Sequence, residues 1–462
     1  MSKDLSKIQY YNTILEAIGN TPLIKLNKIT KGLKPHIFVK AEFLNPGGSV
    51  KDRIGVEIIE DAEKSGRLKP GGTIVESTSG NTGMGLALAA AVKGYKTVFT
   101  MPDKMSQEKI SNLRAFGAEV IVTPTSVPHE SPESYTEVAK KRVRETPNAI
   151  LADQYENPKN PEAHYKTTGP EIWKQTGGQI DHFICGIGTG GTISGIGKFL
   201  KEKNPKIKII GVDIKGSILQ EYFYNKKFDP VFKTYKVEGI GQDYVPKTLD
   251  FSVVDEVLIA DDQESFLTAR KTTREEGIFI GGSAGTAIHA ALEYCKHIES
   301  DDVVVILLPD SGSRYASKIY NDVWMRENGF LKPERITLKY ILTYKSEEIP
   351  ALVSVERNFT VRNALERIRE YGISQLPVLE NGKCFGTVTE SKLLSEVLKD
   401  QTMFDKPVEL TMDAPLPSVH MNEEIQSAVK YFTQKFQAVL VTDNEQPIGI
   451  ITRFDVLDYM SQ

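Results

Sequence analysis

A lysine behind a paired-glycine turn is the first residue whose setting could give it chemistry. The segment NPGGSVKDR, residues 45–53, places Lys51 directly after the turn and at the start of an apolar-periodic stretch that runs to Ile59. A lysine at a helix start beside other cations loses its proton more easily, and a neutral amine can form a Schiff base. The alternative is a solvated lysine after a loop, which is the commoner case for such a segment taken alone.

A run of small polar residues, ESTSGNTG at 76–83, could bind an anion. It follows the strand predicted for TIVE (73–76) and precedes an apolar helix from Met84 to Val92. Hydroxyl groups and successive N–H groups at a helix amino terminus suit a carboxylate or a phosphate. A plain N-cap is the alternative, but it would require one Ser or Thr rather than this many, so anion binding is favoured.

A glycine-rich turn, GIGTGGT at 186–192, lies between the predicted strand HFIC and a predicted helix. Glycines let the backbone approach a phosphate closely, and threonine hydroxyls add donors. The turn lacks the Gly-Lys-Ser/Thr ending of a nucleoside triphosphate loop, and its glycine spacing departs from the dinucleotide fingerprint. We therefore expect the phosphate of a smaller cofactor, with a tight structural turn as the alternative. Two further turns, GGSAG at 281–285 and LLPDSG at 307–312, are weak signals alone.

The elements that must position these segments alternate along the chain. From about Thr21 to Leu308, short β-branched runs alternate with segments of helical period. This pattern predicts an α/β fold with mainly parallel sheets, in which ligands bind at the strand ends. We expect a catalytic domain over residues 1–331, with a small mobile subdomain at about 80–160.

The chain after Met325 has a different texture. Mixed charge, Gly and Pro mark a linker at 332–346, and beyond it the segment SQLPVLENGKCFGTVTESKLLSEVL resembles QAVLVTDNEQPIGIITRFDVLDYM. Each copy predicts a helix, a hairpin and a second helix, which is too little to bury its own apolar face. We therefore expect one α/β module at 347–462, built from copies at about 347–400 and 408–462.

The composition is that of an ordinary soluble globular protein. The 57 Lys and Arg residues nearly balance the 61 Asp and Glu residues, so nothing requires nucleic acid or an anionic membrane as a partner. Three widely spaced cysteines and seven scattered histidines form neither a disulfide framework nor a metal-ligand pattern, which predicts no metal. The polar amino terminus lacks a signal segment, and the most apolar run is too short to span a bilayer, which predicts a cytoplasmic protein.

Taken in order, the motifs NPGGSVKDR, ESTSGNTG, GIGTGGT, VEGIG, GGSAG and LLPDSG resemble those of the fold-type II pyridoxal-phosphate enzymes. Three wider runs, at 102–120, 153–173 and 309–325, look like the cystathionine β-synthases rather than the cysteine synthases. The paired repeats resemble the regulatory Bateman module, a tandem of CBS repeats, that many cystathionine β-synthases carry. The resemblance covers nearly the whole chain, and it favours the chemical interpretation of Lys51 over the solvated one.

The resemblance implies pyridoxal 5'-phosphate as cofactor and assigns roles residue by residue. Lys51 would be the Schiff-base lysine, Asn81 would bind the 3-hydroxyl oxygen of the cofactor, and Ser283 would face its pyridine nitrogen. The residues implied for the phosphate cup are Gly188, Thr189, Gly190, Gly191 and Thr192, and those implied elsewhere at the cofactor are Pro309 and Asp310. The residues implied for the substrate are Ser77, Thr78, Ser79, Thr82 and Gln154 at its carboxylate, with Tyr155 and Gly239 lining the pocket.

The implied reaction is a β-replacement. L-serine would lose its β-hydroxyl as water after Lys51 removes the α-proton, and L-homocysteine would add to the aminoacrylate, giving L-cystathionine. A neutral hydroxyl at Ser283 would not hold the pyridine nitrogen protonated, which favours replacement over transamination. Closure of the small subdomain would keep water away. The alternatives are a cysteine synthase that uses O-acetylserine and sulfide, a mixed activity that includes hydrogen sulfide production, and a catalytically silent adenosyl-sensing protein.

Two departures from the family pattern carry expectations of their own. Animal members bind haem through a Cys and a His that precede the catalytic motifs, but here neither residue type occurs before His36, so we predict no haem. Gln242 follows the VEGIG turn where animal members have a tyrosine, which leaves open how homocysteine is contacted there.

In the tail, the second copy keeps the Thr452 and Asp455 with which Bateman modules hold an adenosine ribose. An aspartate can accept hydrogen bonds from both ribose hydroxyls, whereas the Lys392 that follows Thr389 in the first copy cannot accept any. The resemblance thus implies one adenosyl site per chain, with S-adenosylmethionine as effector, and a homodimer or larger homo-oligomer. The alternative is a tail that only mediates assembly.

Overall fold

The computed structural model describes residues 8–78, 80–103, 105, 107–124, 127, 131–227, 234–332, 335–345, 350–434 and 436–461. The chain divides into two compact units, Met1–Leu331 and Lys332–Gln462.

The first unit alternates strands and helices, as the sequence predicts. Its strands are β1 Leu23–Lys25, β2 His36–Ala41, β3 Thr73–Ser77, β4 Lys96–Pro102, β5 Glu119–Thr123, β6 Ala149–Leu151, β7 His182–Gly186, β8 Lys208–Ile214, β9 Glu256–Ala260 and β10 Val303–Leu308. Its helices are α1 Lys51–Lys64, α2 Asn81–Lys93, α3 Gln107–Ala115, α4 Tyr135–Glu145, α5 Lys159–Lys166, α6 Thr168–Gln175, α7 Gly191–Lys203, α8 Leu219–Asn225, α9 Asp262–Glu276, α10 Gly282–Cys295 and α11 Asp322–Glu327.

The larger sheet of this unit has the order β1-β2-β10-β7-β8-β9 within the described residues. All of its neighbouring strands are parallel except β1, which is antiparallel to β2. Strand β10 is central, with Val305 opposite both Phe38 and Phe183. Because helices cover both faces, β10 is buried on both sides and its sequence is continuously apolar.

The smaller sheet has the order β5-β4-β3-β6 and is parallel throughout. It begins at Thr73, so the subdomain predicted at about 80–160 omits its strand β3. Helices α1 and α2 pack closely, since a Cβ atom on Gly55 would lie 2.5 Å from the backbone of Gly85. This contact brings the amino-terminal ends of α1 and α2 next to each other.

The second unit consists of two similar halves. Its strands are β11 Val355–Glu356, β12 Gln375–Glu380, β13 Lys383–Thr389, β14 Ser418–His420, β15 Ala438–Asp443 and β16 Gln446–Thr452. Its helices are α12 Leu338–Tyr344, α13 Val361–Tyr371, α14 Glu390–Lys399, α15 Ile425–Thr433 and α16 Arg453–Ser461. In each half, a hairpin, β12-β13 or β15-β16, lies in the sequence between two helices, as the internal repeat predicts. A third strand that was not predicted, β11 or β14, completes each sheet.

The segment predicted as a linker, 332–346, differs from that expectation. It contains helix α12, and Leu338 and Ile341 of this helix are buried in the same core as Val439 and Ile451 of the second half. The apolar period of this short helix was outweighed in the sequence by the charge, Gly and Pro around it.

Candidate active site

A cavity of about 760 Å³ in the first unit brings together most of the predicted site residues. The predicted residues that line it are Lys51, Asn81, Thr82, Gln154, Tyr155, Gly188, Thr189, Gly190, Thr192, Gly239, Ser283 and Pro309. Four others are buried but are not part of this lining, namely Ser77, Thr78, Gly191 and Asp310. Ser79 lies outside the described residues.

Lys51 is the first residue of α1, and the end of β10 fixes its position. The N–H of Val50 donates to the Pro309 carbonyl at 2.8 Å, and Ser49 forms an isolated β-bridge with Asp310. Burial lowers the pKa of the Lys51 amine, and the nearby groups of Cys185 and Asp310 oppose this effect less strongly. A larger share of the amine is therefore neutral and nucleophilic than for a solvated lysine.

The predicted phosphate cup lies at the amino terminus of α7. A Cβ atom on Gly188 would lie 2.7 Å from the Gly239 carbonyl oxygen, and Gly190 has a left-handed backbone with φ of 81°. The Thr189 hydroxyl accepts a hydrogen bond from the Asn160 amide at 3.0 Å. This cradle of close backbone, hydroxyls and a helix amino terminus has the chemistry that a phosphate requires, so the residues present fit a phosphate-bearing cofactor.

Thr192 of the cup is held by a buried histidine. The His164 ring lies between two hydroxyls, with Nδ1 2.9 Å from Thr168 Oγ1 and Nε2 3.2 Å from Thr192 Oγ1. Burial is the main cause that holds the pKa of His164 well below its ordinary value, and the positive charges of Lys51 and Arg53 add to it. A neutral imidazole therefore sets the orientation of the Thr192 hydroxyl.

The polar segment after β3 contributes both to the first turn of α2 and to the lining of the cavity. The Thr78 hydroxyl accepts from the N–H groups of Gly80 at 3.0 Å and Gly83 at 3.3 Å, so it serves the first turn of α2. The Thr82 hydroxyl faces the cavity and donates to the Gln154 side-chain oxygen at 2.5 Å. Thr82 and Gln154 thus form one continuous polar wall.

Glu76 ties that wall together from behind. Its fully buried carboxyl group accepts from the N–H groups of Asp153 at 2.6 Å and Gln154 at 3.4 Å. Asp153 has a left-handed backbone, with φ of 52°. The turn that presents Gln154 and Tyr155 is therefore anchored to the strand that leads into the polar segment.

The Asn81 side chain is held at both ends of its amide. Its Nδ2 donates to Asp310 Oδ2 at 2.8 Å, and its Oδ1 accepts from Arg314. Ser283, in the first turn of α10, lines the same cavity with its neutral hydroxyl.

The comparisons with known proteins agree with this geometry. A family model described as "Pyridoxal-phosphate dependent enzyme" matches residues 14–310, and the CBS domain model matches 347–399 and 408–462. Cystathionine β-synthase of Dictyostelium discoideum is 41% identical to this chain, with 97% of this chain and 92% of the relative covered. Cystathionine β-synthase of Saccharomyces cerevisiae is 40% identical over the whole of both chains.

The chain belongs to the cystathionine β-synthase family. It is accordingly a lyase that depends on pyridoxal phosphate. The resemblance, the α/β fold with its paired CBS repeats, and the cofactor that the sequence implied are thus confirmed.

Two solved structures match about two thirds of this chain. A hydrogen sulfide-producing enzyme from Fusobacterium nucleatum is 39% identical with a TM-score of 0.62, covering 66% of this chain and 100% of that one. O-ureido-L-serine synthase is 35% identical with a TM-score of 0.63, covering 68% of this chain and 96% of that one.

Several residues around the active site of this family member were missed in the sequence. Asn160, His164 and Thr248 contact the cup, Glu76 anchors the Gln154 turn, and Arg314 holds Asn81. None of them belongs to a recognisable spacing pattern with its partner. Asn81 and Arg314, for example, are separated by 233 positions.

A second cavity, of about 930 Å³, lies within the CBS module of the second unit. Thr452 and Asp455, predicted for an adenosyl group, both line it. The Asp455 Oδ2 atom accepts from the Thr452 N–H at 2.6 Å and hydroxyl at 2.7 Å, and it lies 3.1 Å from Lys345 Nζ. The carboxylate is thus placed by the residue three positions earlier and paired with a cation.

The equivalent position in the first CBS repeat has the opposite charge. The Thr389 hydroxyl accepts from the Lys392 N–H at 3.3 Å, and the Lys392 ammonium pairs with Asp413. The turn geometry is therefore the same in both repeats, but only the second places a carboxylate there.

The described residues contain neither a candidate membrane-spanning helix nor a candidate metal cluster. Over the part of the chain that the structure describes, no helix combines the length and the apolar character needed to cross a membrane. Within the same residues, no group of three or more His, Cys, Asp or Glu side chains is arranged to hold a metal ion.

Proposed function

We propose that this member of the family condenses L-serine with L-homocysteine to give L-cystathionine and water. The observation that carries the proposal is the convergence, in one cavity, of the Lys51 amine with a wall formed by Thr82 and Gln154 and with the α7 amino terminus. The cavity thus combines a nucleophilic amine, a surface suited to the carboxylate of an amino acid and a surface suited to the phosphate of the cofactor.

The residues around the cavity would hold pyridoxal phosphate as follows. The cup at Gly188 to Thr192 would bind the phosphate group, Asn81 would donate to the ring oxygen, and Ser283 would face the ring nitrogen. When bound, the cofactor supplies an electron sink for the α-carbon of an amino acid.

The chain itself supplies orientation and proton transfer. Thr82 and Gln154 would bind the carboxylate of serine, and this fixes the direction of the α-hydrogen. The Lys51 amine, with its lowered pKa, would take the α-proton and pass it to the departing β-hydroxyl, which leaves as water. Lys51 would then carry the proton released by the homocysteine thiol to the α-carbon. Tyr155 lies between this wall and Gln242, whose side chain donates to the Tyr155 hydroxyl at 3.4 Å. We assign the homocysteine side of the cavity to this pair.

A second candidate function follows from one of the comparisons. The structurally similar enzyme of Fusobacterium nucleatum is described as hydrogen sulfide-producing. A cysteine synthase or a mixed activity that releases sulfide therefore competes with the cystathionine reaction, since the same lysine chemistry serves both.

Product identification separates these functions. Purified protein loaded with pyridoxal phosphate would be given serine or O-acetylserine, each with homocysteine or sulfide, and the products identified by mass spectrometry. We expect cystathionine from serine and homocysteine as the main product. Cysteine from O-acetylserine and sulfide as the sole product would contradict the proposal, and the Lys51→Ala variant gives the background for each pair.

We propose further that the second cavity takes the adenosyl group of S-adenosylmethionine and thereby regulates turnover. The support is Asp455, a carboxylate that lines a cavity of suitable size and can accept from two ribose hydroxyls. Calorimetry with the full chain should show one site per chain. Binding without any change in turnover would leave ligand binding in place but contradict regulation.

For assembly and location we propose a homodimer or larger homo-oligomer in the cytoplasm, without haem. Light scattering after size exclusion tests the first, and fractionation of cells tests the second. The haem prediction is tested by the absorption spectrum of freshly purified protein, in which a strong Soret band would contradict it.

A further inference from the structure

Arg314 is a buried arginine that the reaction described above does not use. It lies in the turn Gly312–Tyr315 after β10, and only 6% of its surface is exposed. Burying a guanidinium is costly because it stays charged at every ordinary pH. Within the described residues, no carboxylate forms an ion pair with it. Its guanidinium instead donates to two neutral oxygens, Asn81 Oδ1 and the Gly47 carbonyl.

The first of these contacts determines which way the Asn81 amide faces. A guanidinium has donors but no acceptor, so the amide atom that it contacts must be the oxygen. The Asn81 Nδ2 group then points away from Arg314, toward Asp310 Oδ2 at 2.8 Å. Asp310 Oδ2 also accepts from the Tyr315 hydroxyl at 2.6 Å, so it acts as an acceptor and favours the same amide orientation.

The second contact holds the turn that precedes Lys51. While the Gly47 carbonyl accepts from Arg314, the Gly47 N–H donates to Asp52 Oδ2 at 2.5 Å. One guanidinium therefore joins the turn before the Schiff-base lysine to the first residue of α2.

We propose that Arg314 is a positioning residue that acts through Asn81. It fixes the Asn81 side chain as a hydrogen-bond donor toward the ring oxygen of pyridoxal phosphate, so the cofactor binds with that oxygen deprotonated. The positive charge behind the amide also polarises it and strengthens the donated hydrogen bond. This inference rests on the proposed role of Asn81, and the experiment keeps the two apart.

The first measurements compare Arg314→Met and Arg314→Lys with the parent protein. Two readouts are followed in the full chain: the dissociation constant of pyridoxal phosphate, and the pH midpoint of the visible absorption of the Lys51-bound cofactor. Loss of a hydrogen bond to a charged group predicts a dissociation constant about tenfold to a hundredfold higher for Arg314→Met. The same variant should also shift the pH midpoint of the visible absorption relative to the parent protein. Lysine keeps the charge but cannot donate to both oxygens as a guanidinium does. Both readouts for Arg314→Lys should therefore lie between those of the parent and those of Arg314→Met.

Arg270→Met is the matched control. Arg270 is also 6% exposed and donates to the Ile319 carbonyl at 2.9 Å and to Asp322, but it contacts neither Asn81 nor Gly47. We expect this variant to be less stable while it keeps the parent cofactor affinity and midpoint. If circular dichroism shows that Arg314→Met does not fold, Arg314→Lys is used in its place, and we expect smaller changes in the same directions.

The link through Asn81 is tested by a double-mutant cycle with Asn81→Ala. We expect Asn81→Ala and the double variant with Arg314→Met to lose similar affinity. Additive losses would overturn the inference while leaving the role of Asn81 intact, and parent values in Arg314→Met and Arg314→Lys would do the same. Parent values in Asn81→Ala would contradict the role of Asn81 itself, and the inference with it.

Discussion

The catalytic cavity and the cavity of the CBS module differ in how their charged groups are buried. Around the catalytic cavity, the pKa values of three buried ionisable groups are shifted toward neutrality. Burial raises the pKa of Asp52 to about 7 and that of Glu76 to about 8, and it lowers the pKa of Lys51. In the CBS module, Asp455 and Lys345 form a pair whose side chains remain 14% and 25% exposed.

This difference indicates two modes of function. Buried groups with shifted pKa values cost stability, but they give proton transfer near neutral pH. A partly exposed ion pair contributes little to stability, so its members can exchange partners with a ligand at low cost. We therefore expect proton transfer in the first cavity and reversible ligand binding in the second.

The largest expected effect is the loss of turnover in Lys51→Ala. The variant lacks both the cofactor-binding amine and the group that moves the α-proton, so we expect cystathionine formation to fall by at least about 10³-fold. Adenosyl binding, measured by calorimetry, should be unchanged because the second cavity contains no part of α1. Turnover near the parent rate would contradict the assignment of Lys51.

The next effect concerns pH and Glu76. Its pKa of about 8 in the folded chain exceeds the ordinary glutamate value of 4.5, so its contribution to stability is complete below pH 4.5 and is lost as pH rises toward 8. The shift corresponds to an upper bound of about 5 kcal/mol. The amide in Glu76→Gln cannot ionise, so the melting temperature of the parent should fall relative to this variant between pH 5 and pH 8.

Glu119→Gln is the control for this measurement, because the Glu119 side chain is 50% exposed. Its melting temperature should change with pH in the same way as that of the parent across the same range. If the melting temperatures of Glu76→Gln and the parent change with pH in the same way, Glu76 is ionised in the folded protein. The catalytic cavity then differs less from the cavity of the CBS module.

Much of this organisation could be predicted from the sequence because it rests on local signals. The strand and helix alternation, the glycine cup and the repeated module are all read within short windows, and the structure follows them. The linker at 332–346 is the counterexample, since the burial of Leu338 depends on residues about a hundred positions later.

The groups that set the electrostatics could not be predicted in the same way. Glu76 is the first residue of the ESTSGNTG motif, but its raised pKa depends on complete burial and on Asp153. From the sequence, Arg314 is expected to be an exposed arginine in a Ser- and Gly-rich turn. Only the tertiary structure brings it next to its two acceptors, one in α2 and one in the turn at Gly47. Such contacts depend on tertiary packing and leave no spacing pattern.

A smaller effect is expected for the ligand in the CBS module. Asp455→Ala removes the carboxylate proposed to accept from the ribose hydroxyls, so S-adenosylmethionine should bind about tenfold more weakly. Asp413→Ala removes the carboxylate that pairs with Lys392 in the first repeat and should leave the affinity unchanged. Equal affinity in parent, Asp455→Ala and Asp413→Ala, measured by calorimetry, would move the site elsewhere.

The smallest expected effect concerns the cation that shares Asp455. Lys345 Nζ lies 3.1 Å from Asp455 Oδ2 and donates to the Ile450 carbonyl at 3.0 Å, so a ligand that uses the carboxylate must compete with it. Because a partly exposed pair is worth at most about 1 kcal/mol, Lys345→Met should tighten S-adenosylmethionine binding by up to about fivefold. Lys392→Met, which removes the lysine that the first repeat has in place of Asp455, should not change this affinity. Weaker binding in Lys345→Met alone would mean that Lys345 contacts the ligand directly, and the second cavity would then use both members of its ion pair for recognition.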